Sequence, residues 1–264
     1  MASQHWLTGK TVVITRPIEQ SGSLAESIRN AGGLPLIAPL LEIVPDPNFP
    51  SCLKTSPAGN LDTCDLAIFI SPNAVHASLP HLLAQAGHWP AHLQAAAIGP
   101  GTASALASFG ITNTLLPKRS FDSEGLLETP TLQASSIQGK RVFLFKGNGG
   151  RELLAETLMA RGAEVFLFPC YVRRPPNQLL APFRQHWATG TLDALLVSSS
   201  ESLDNLLAAP LSATERLTLL KTPVFVPHVR IQLKAESVGF LKVILTPPTD
   251  TGLMAGLLAY NGSP

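Results

Sequence analysis

The stretch GKTVVITR (residues 9–16) returns 130 positions later as GKRVFLFK (residues 139–146). The residues beyond each copy match too. Leu24, Glu26, Ile28 and Pro39 fall on Leu154, Glu156, Leu158 and Pro169 at the same offset. Further on, DLAIFIS (residues 65–71) matches DALLVSS (193–199). Ile98-Gly99-Pro100 matches Val226-Pro227-His228, and SEGLL (123–127) matches DTGLM (250–254), the offset drifting only to 127. One such match could reflect the general likeness of βα units; several in the same order describe an internal repeat. Two similar α/β bodies in one chain are expected to leave a cleft, where ligands bind.

Within the repeat the periodicity is legible. Residues 11–15 form a short β-branched run, read as a buried strand. Leu24, Ile28 and Ala31 then recur at helical spacing, and Gly32-Gly33 ends the helix. Residues 34–41 are apolar again. The same order runs from Arg141 to Tyr171. Residues 66–70 and 195–197 read as further buried strands, and Thr102, Leu106 and Phe109 share one helical face. Strands alternating with helices of this length predict parallel sheets with helices on both faces. Two proline-bounded stretches break the rhythm at equivalent positions, PLLEIVPDP (39–47) and PCYVRRPP (169–176). Prolines favour extended chain there, so both read as linker strands. The first domain would then be discontinuous: residues 1–39 plus 177–264, with 48–165 as the second domain and 40–47 and 166–176 as linkers. Two contiguous halves joined near residues 133–139 are the alternative, and periodicity favours neither.

Composition bounds the function. The chain has 264 residues, 45% hydrophobic and 14% charged, which suits a globular protein with sizeable cores. A net charge of +1 argues against a broad nucleic-acid surface, though not against a local anion site. Cys52, Cys64 and Cys170 are odd in number and far apart, without zinc spacing, which fits a reduced, cytoplasmic setting. No apolar run approaches the ~18 residues of a spanning helix, so no membrane insertion is expected. A monomer is the expected state.

The polar clusters follow predicted strands directly. Arg16 follows the first strand, Ser71 the strand at 66–70, and Gly99 with Thr102 the run at 95–98. Lys146-Gly147-Asn148 and Arg151 follow residues 142–145. Ser198 and Ser199 follow 195–197, His228 and Arg230 follow 224–226, and Thr249 follows 243–245. In open parallel sheets these carboxyl ends line the ligand crevice, and helix N-termini there offer free N–H groups to anions. Any one cluster could equally be an ordinary cap or turn. Residues 147–150 lack the third glycine of a dinucleotide fingerprint, and no G-x-x-x-x-G-K loop exists, which speaks against a nucleotide. No metal-ligand pattern, carboxylate pair or Ser/His/Asp order stands out. Asp65 and Asp193 precede strands and read as caps or turn residues.

These residues resemble the bacterial uroporphyrinogen-III synthase family. The resemblance rests on VITRP (13–17), FISPNAV (69–75), AIGPGTA (97–103), KGNGGRELLAETLMARGAEV (146–165), Tyr171, SSSE (198–201) and PHVRI (227–231). It spans nearly the whole chain, and the glycine-loop segment is its most specific part. It implies two similar parallel-sheet α/β domains joined by a two-stranded linker, the first discontinuous, which selects one of the two organisations above. It implies hydroxymethylbilane as substrate, cyclised with inversion of ring D and loss of water, without metal or organic cofactor. It implies Tyr171 as the proton donor to the leaving hydroxyl; a packing tyrosine is the other reading. Ile70 stands where many relatives have threonine, and His228-Val229 where some have a threonine pair, so hydroxyl roles are not carried to those positions. A noncatalytic two-domain receptor for a small polyanion is the alternative. A nucleotide-sugar transferase is disfavoured by the missing acidic metal motif.

Overall fold

The computed structural model describes residues 6–55, 60–150 and 152–260. Strands form at β1 (Thr11–Ile14), β2 (Leu34–Ile37), β3 (Glu42–Pro45), β4 (Leu66–Phe69), β5 (Gln94–Ala97), β6 (Thr114–Leu115), β7 (Arg141–Gly147), β8 (Glu164–Arg174), β9 (Ala194–Leu196), β10 (Val224–Val226) and β11 (Val243–Leu245). They build two sheets, in the orders β2-β1-β9-β10-β11 and β3-β8-β7-β4-β5-β6. Every pair from β2 to β11 and from β8 to β6 is parallel. The chain accordingly divides into two compact units. One runs through Glu42 and resumes at Arg174; the other is Ile43–Arg173.

Omitting β3 at the edge, the two sheets have the same order, with β8-β7-β4-β5-β6 standing for β2-β1-β9-β10-β11. The copies have exchanged partners. β1 and β2 of the first repeat pair with β9 to β11 of the second, while β4 to β6 of the first pair with β7 and β8 of the second.

Local chemistry explains why the copies fold alike. The helix Gly22–Asn30 ends in Gly32 at φ +84°, and the helix Leu153–Ala160 in Gly162 at φ +87°, a left-handed turn suited to glycine. Asp193 accepts from Lys10 Nζ at 2.9 Å and from the Thr11 amide at 2.9 Å. Asp65 does the same for Lys140 Nζ at 3.0 Å and the Arg141 amide at 2.8 Å. These carboxylates are therefore neither helix caps nor simple turn residues. Each staples the start of one central strand to the start of its neighbour.

Both faces of each sheet are covered. Phe69, Phe143 and Phe145 face the helix Pro72–Ala86, while Ile68, Val142 and Leu144 face Leu154 and Leu158 on the other side. In the discontinuous unit Val13 packs with Phe183, Leu203 and Ile231, and Val12 and Ile14 pack with Leu24, Ile28 and Leu257. Burial on two faces is why these strands read as continuous apolar runs. No helix among the described residues is long and apolar enough to cross a membrane.

Several boundaries differ from those the sequence suggests. The helix Pro100–Ala107 ends before Phe109. Residues 169–174 do not start a new strand but continue β8. β7 extends past Phe145 to Gly147, because β8 keeps pairing beside it. Lys146 and Gly147 therefore lie in a strand rather than in the glycine loop.

Candidate active site

The extra length of β8 places its one tyrosine. Lys146 pairs with Pro169 but Gly147 pairs with Tyr171, so Cys170 is an extra residue in β8. Such a bulge re-aims the side chain that comes after it. Cys170 and Tyr171, neighbours in sequence, consequently both face the core that holds Phe145 and Phe168. Phe145 stacks between Phe69 at 4.8 Å and Phe168 at 5.3 Å, forming a rigid floor.

Tyr171 is 7% exposed and lies directly on Gly147. A Cβ there would stand 2.6 Å from Tyr171 Cε2 and 2.7 Å from Cζ, so only a glycine admits the ring in this place. The phenol oxygen is 3.2 Å from Ser71 Oγ. Ser71 caps the helix Pro72–Ala86, accepting the Ala74 amide at 3.2 Å. The Asn148 amide donates to the Tyr171 carbonyl at 2.8 Å. The bulge, the glycine and the cap together hold one O–H group at a helix N-terminus, where negative charge is favoured.

Lys146 lies on the face of β7 that carries Val142 and Leu144. It is 7% exposed, and its ammonium makes no hydrogen bond or ion pair among the described residues. Gly99 is the N-cap residue of the helix Pro100–Ala107, and Thr102 is buried in its first turn. Ser71, Gly99, Thr102, Lys146, Gly147, Asn148 and Tyr171 thus gather at the carboxyl end of one sheet. Arg151 lies outside the described residues.

The discontinuous unit carries the equivalent rim with different chemistry. Arg16 follows β1, but its Nη1 is 2.5 Å from Asp250 Oδ1, so this cation is already paired. Ser199 and Thr249 cap the helices Ser200–Ala208 and Asp250–Ala259, accepting Ser202 and Gly252 amides at 3.0 Å each. Ser198 precedes the first of these, and Ser200 Oγ is buried with no hydrogen-bond partner among the described residues. His228 stands at the N-cap of the helix Val229–Ser237 without a side-chain cap bond, and both it and Arg230 are exposed. The position of Tyr171 in this copy is Leu41.

The bond between Ser71 and Tyr171 and the pairing of Arg16 with Asp250 have no local signal in the sequence. A cavity of about 430 Å³ lined by Pro175, Leu179, Arg184, Asn205 and Pro210 contains none of the candidates. It lies near the C-terminal end of the helix Ser200–Ala208, which runs back from the rim. Among the described residues no group of three His, Cys, Asp or Glu could hold a metal ion. Burial pushes the Cys64 and Cys170 thiols up to about 12, so both are inert at neutral pH.

The chain matches the family described as "Uroporphyrinogen-III synthase HemD" over residues 22–253. It is 32% identical over 240 residues to the uroporphyrinogen-III synthase of Salmonella typhimurium, covering 91% of this chain and 96% of that one. It is 31% identical, with the same coverage, to that of Escherichia coli. Its fold resembles a mutant uroporphyrinogen III synthase from Thermus thermophilus, with a TM-score of 0.58 and 17% identity over 94% of this chain and 97% of that one. The Helicobacter pylori uroporphyrinogen-III synthetase gives a TM-score of 0.54 at 14% identity, over 94% and 97%.

Proposed function

The chain belongs to the uroporphyrinogen-III synthase family, and on that premise we propose that it converts hydroxymethylbilane to uroporphyrinogen III, with the rim around Tyr171 as the seat of proton transfer. The observation that carries this placement is the phenol itself. Tyr171 is pinned on Gly147, its oxygen 3.2 Å from Ser71 Oγ, at a helix N-terminus.

Tyr171 donates its proton to the hydroxyl of the terminal hydroxymethyl group. The C–O bond breaks, water leaves, and the nitrogen lone pair of the adjoining pyrrole makes an azafulvene cation. The phenolate left behind is accommodated by the helix N-terminus and the Ser71 hydroxyl. The substituted α-carbon of ring D attacks the cationic methylene and forms a spiro intermediate. The older bond from that carbon to its neighbouring methylene then breaks, leaving a second azafulvene. The free α-carbon of ring D attacks it, and the proton it loses returns to the phenolate. The ring has closed with ring D inverted, at the net loss of one water.

Most of what the protein contributes is positioning of a flexible polyanion. Lys146 and Arg151 bind carboxylates, as do amides at the N-termini that begin after Ser71, Gly99, Ser199, His228 and Thr249. Arg16, Thr102, Gly147, Asn148, Ser198 and Arg230 complete the binding set. Binding by backbone amides reconciles an anionic ligand with a net charge of only +1. Neither metal nor organic cofactor enters the scheme. The same reading has a monomer acting in the cytoplasm without nucleic acid, in keeping with free Cys52, Cys64 and Cys170. The alternative of a noncatalytic receptor gains no support from the relatives.

The test of this reading is Tyr171→Phe, which removes the proton and little else. Turnover should fall about 10²-fold, the usual contribution of a general acid. Product binding should persist, and the residual product should remain mostly the inverted isomer. A loss below about fivefold would move the acid elsewhere, to water or a substrate carboxyl.

A further inference from the structure

The loop between β6 and the helix Ser123–Leu127 carries Lys118, Arg119 and Phe121 at the same end of the sheet as Tyr171. Phe121 is 56% exposed, although burying a phenyl ring is worth about 2 kcal/mol. The exposure does not come from a loose loop. Asp122 Oδ1 accepts the Gly125 amide at 2.7 Å, and the Ser120 hydroxyl donates to the same carboxylate. The Ser120 carbonyl fills the space beside Gly125, where a Cβ would stand only 2.0 Å away. The loop is thus clamped onto the next helix, and the ring is presented to solvent from a fixed base.

Its surroundings are those of the rim. A Cβ on Gly99 would be 3.4 Å from Phe121 Cβ, so the ring starts against the N-cap of the helix Pro100–Ala107. A Cβ on Gly101 would be 3.8 Å from Pro72, the residue after Ser71. Tyr171, Ser71, Gly101, Gly99 and Phe121 therefore form one continuous edge. From β4 to β6 is two strand spacings, roughly 10 Å. Lys118 and Arg119 are exposed and make no hydrogen bond or ion pair among the described residues. The other repeat has Pro247-Pro248 in place of Ser120-Phe121, with no aromatic ring and no such pair of cations.

An exposed aromatic face beside two unpaired cations suits a ligand that joins a flat π-system to carboxylates. Resting on the reading that hydroxymethylbilane is the substrate, we propose that Phe121 stacks on one of its pyrrole rings while Lys118 and Arg119 bind the carboxylates of that ring. The loop is a binding subsite and takes no part in proton transfer.

Steady-state kinetics with hydroxymethylbilane tests this. Phe121→Ala should raise KM about tenfold with kcat within about twofold, the size of one lost aromatic contact. Phe121→Trp should restore KM, and Phe121→Leu should not. The double variant Lys118→Ala/Arg119→Ala should raise KM about tenfold at low salt and less at high salt. Circular dichroism melts would identify any variant that loses fold, and Phe121→Trp then serves as the folded comparison with Phe121→Leu. An unchanged KM in Phe121→Ala, or a leucine as good as phenylalanine, overturns the subsite while leaving the activity intact. Wild-type protein that forms no uroporphyrinogen III overturns the activity and the subsite together.

Discussion

Gly147 and Tyr171 face each other across β7 and β8, and the phenol occupies the space a side chain would take. Gly147→Ala would put a methyl 2.6 Å from the ring, and the ring must move off Ser71 to make room. The cost of such overpacking is about 1–3 kcal/mol, so the fold should survive. Turnover should nonetheless fall about tenfold or more, since a displacement of about 1 Å is enough to cost a catalytic group much of its effect. Turnover equal to wild type would detach Tyr171 from the chemistry. The two strand-end cations should differ as well. Lys146 has no partner among the described residues, whereas Arg16 is held by Asp250. Lys146→Ala should raise KM about tenfold with little change in kcat, the pattern for uniform binding, and Arg16→Ala should raise it less. An equal or larger effect at Arg16 would mean the ligand displaces Asp250. Sequence alone singles out both cations and the tyrosine. It cannot rank them, because Ser71 lies 100 residues from Tyr171 and Asp250 lies 234 from Arg16.

Among the elements, the central strands are the most legible and the short ones the least. Strands β1, β4, β7 and β9 are apolar on both faces, so their residues announce them without help from neighbours. Strand β6 has only two residues, too few for any period, and is defined by its pairing with β5. The bulge in β8 is equally silent, since it exists only in register with β7. The aspartate staples are visible as a repeated residue before a strand, but their partners lie across the sheet. Asp65 offers a test of what a staple does. The Arg141 amide first, and then Lys140, hold its carboxyl below the usual carboxylate range. A lowered pKa stabilises the fold above the unfolded-state value, about 4, and the contribution is lost as pH falls toward the folded value. The carboxylate is partly open to solvent, and screening there limits its worth to about 1 kcal/mol. Asp65→Asn should therefore lower Tm at pH 7 by roughly 2–4 °C at most in a protein of this size. The gap to wild type should narrow as the pH is lowered below the unfolded-state value of about 4. A gap that is constant with pH would show that the ionised form of Asp65 adds nothing to stability.

At the scale of the whole molecule, two copies of one βα pattern have diverged. The strand orders still agree, and so do the staples and the capping hydroxyls of Ser71 and Ser199. One copy keeps a phenol, a bare glycine and, at its strand ends, a lysine with no partner among the described residues. The other has Leu41, Pro17 and a guanidinium already bound to Asp250. The repeat, and hence the fold class, was legible because an offset of 130 residues survives in the sequence. Which strands of one copy join which of the other leaves no trace in hydrophobic pattern, because the central strands β1, β4 and β9 are all buried apolar runs that would suit any parallel partner. Under the proposed mechanism, the asymmetry of the rims puts the proton chemistry of a duplicated scaffold on one side only. The most direct measurement is the isomer formed from hydroxymethylbilane by the wild-type protein, quenched well before spontaneous closure is significant and without added metal or nucleotide. Uroporphyrinogen III should be nearly all of the product, formed faster than in buffer. The non-inverted isomer alone, at the rate seen without protein, would contradict it.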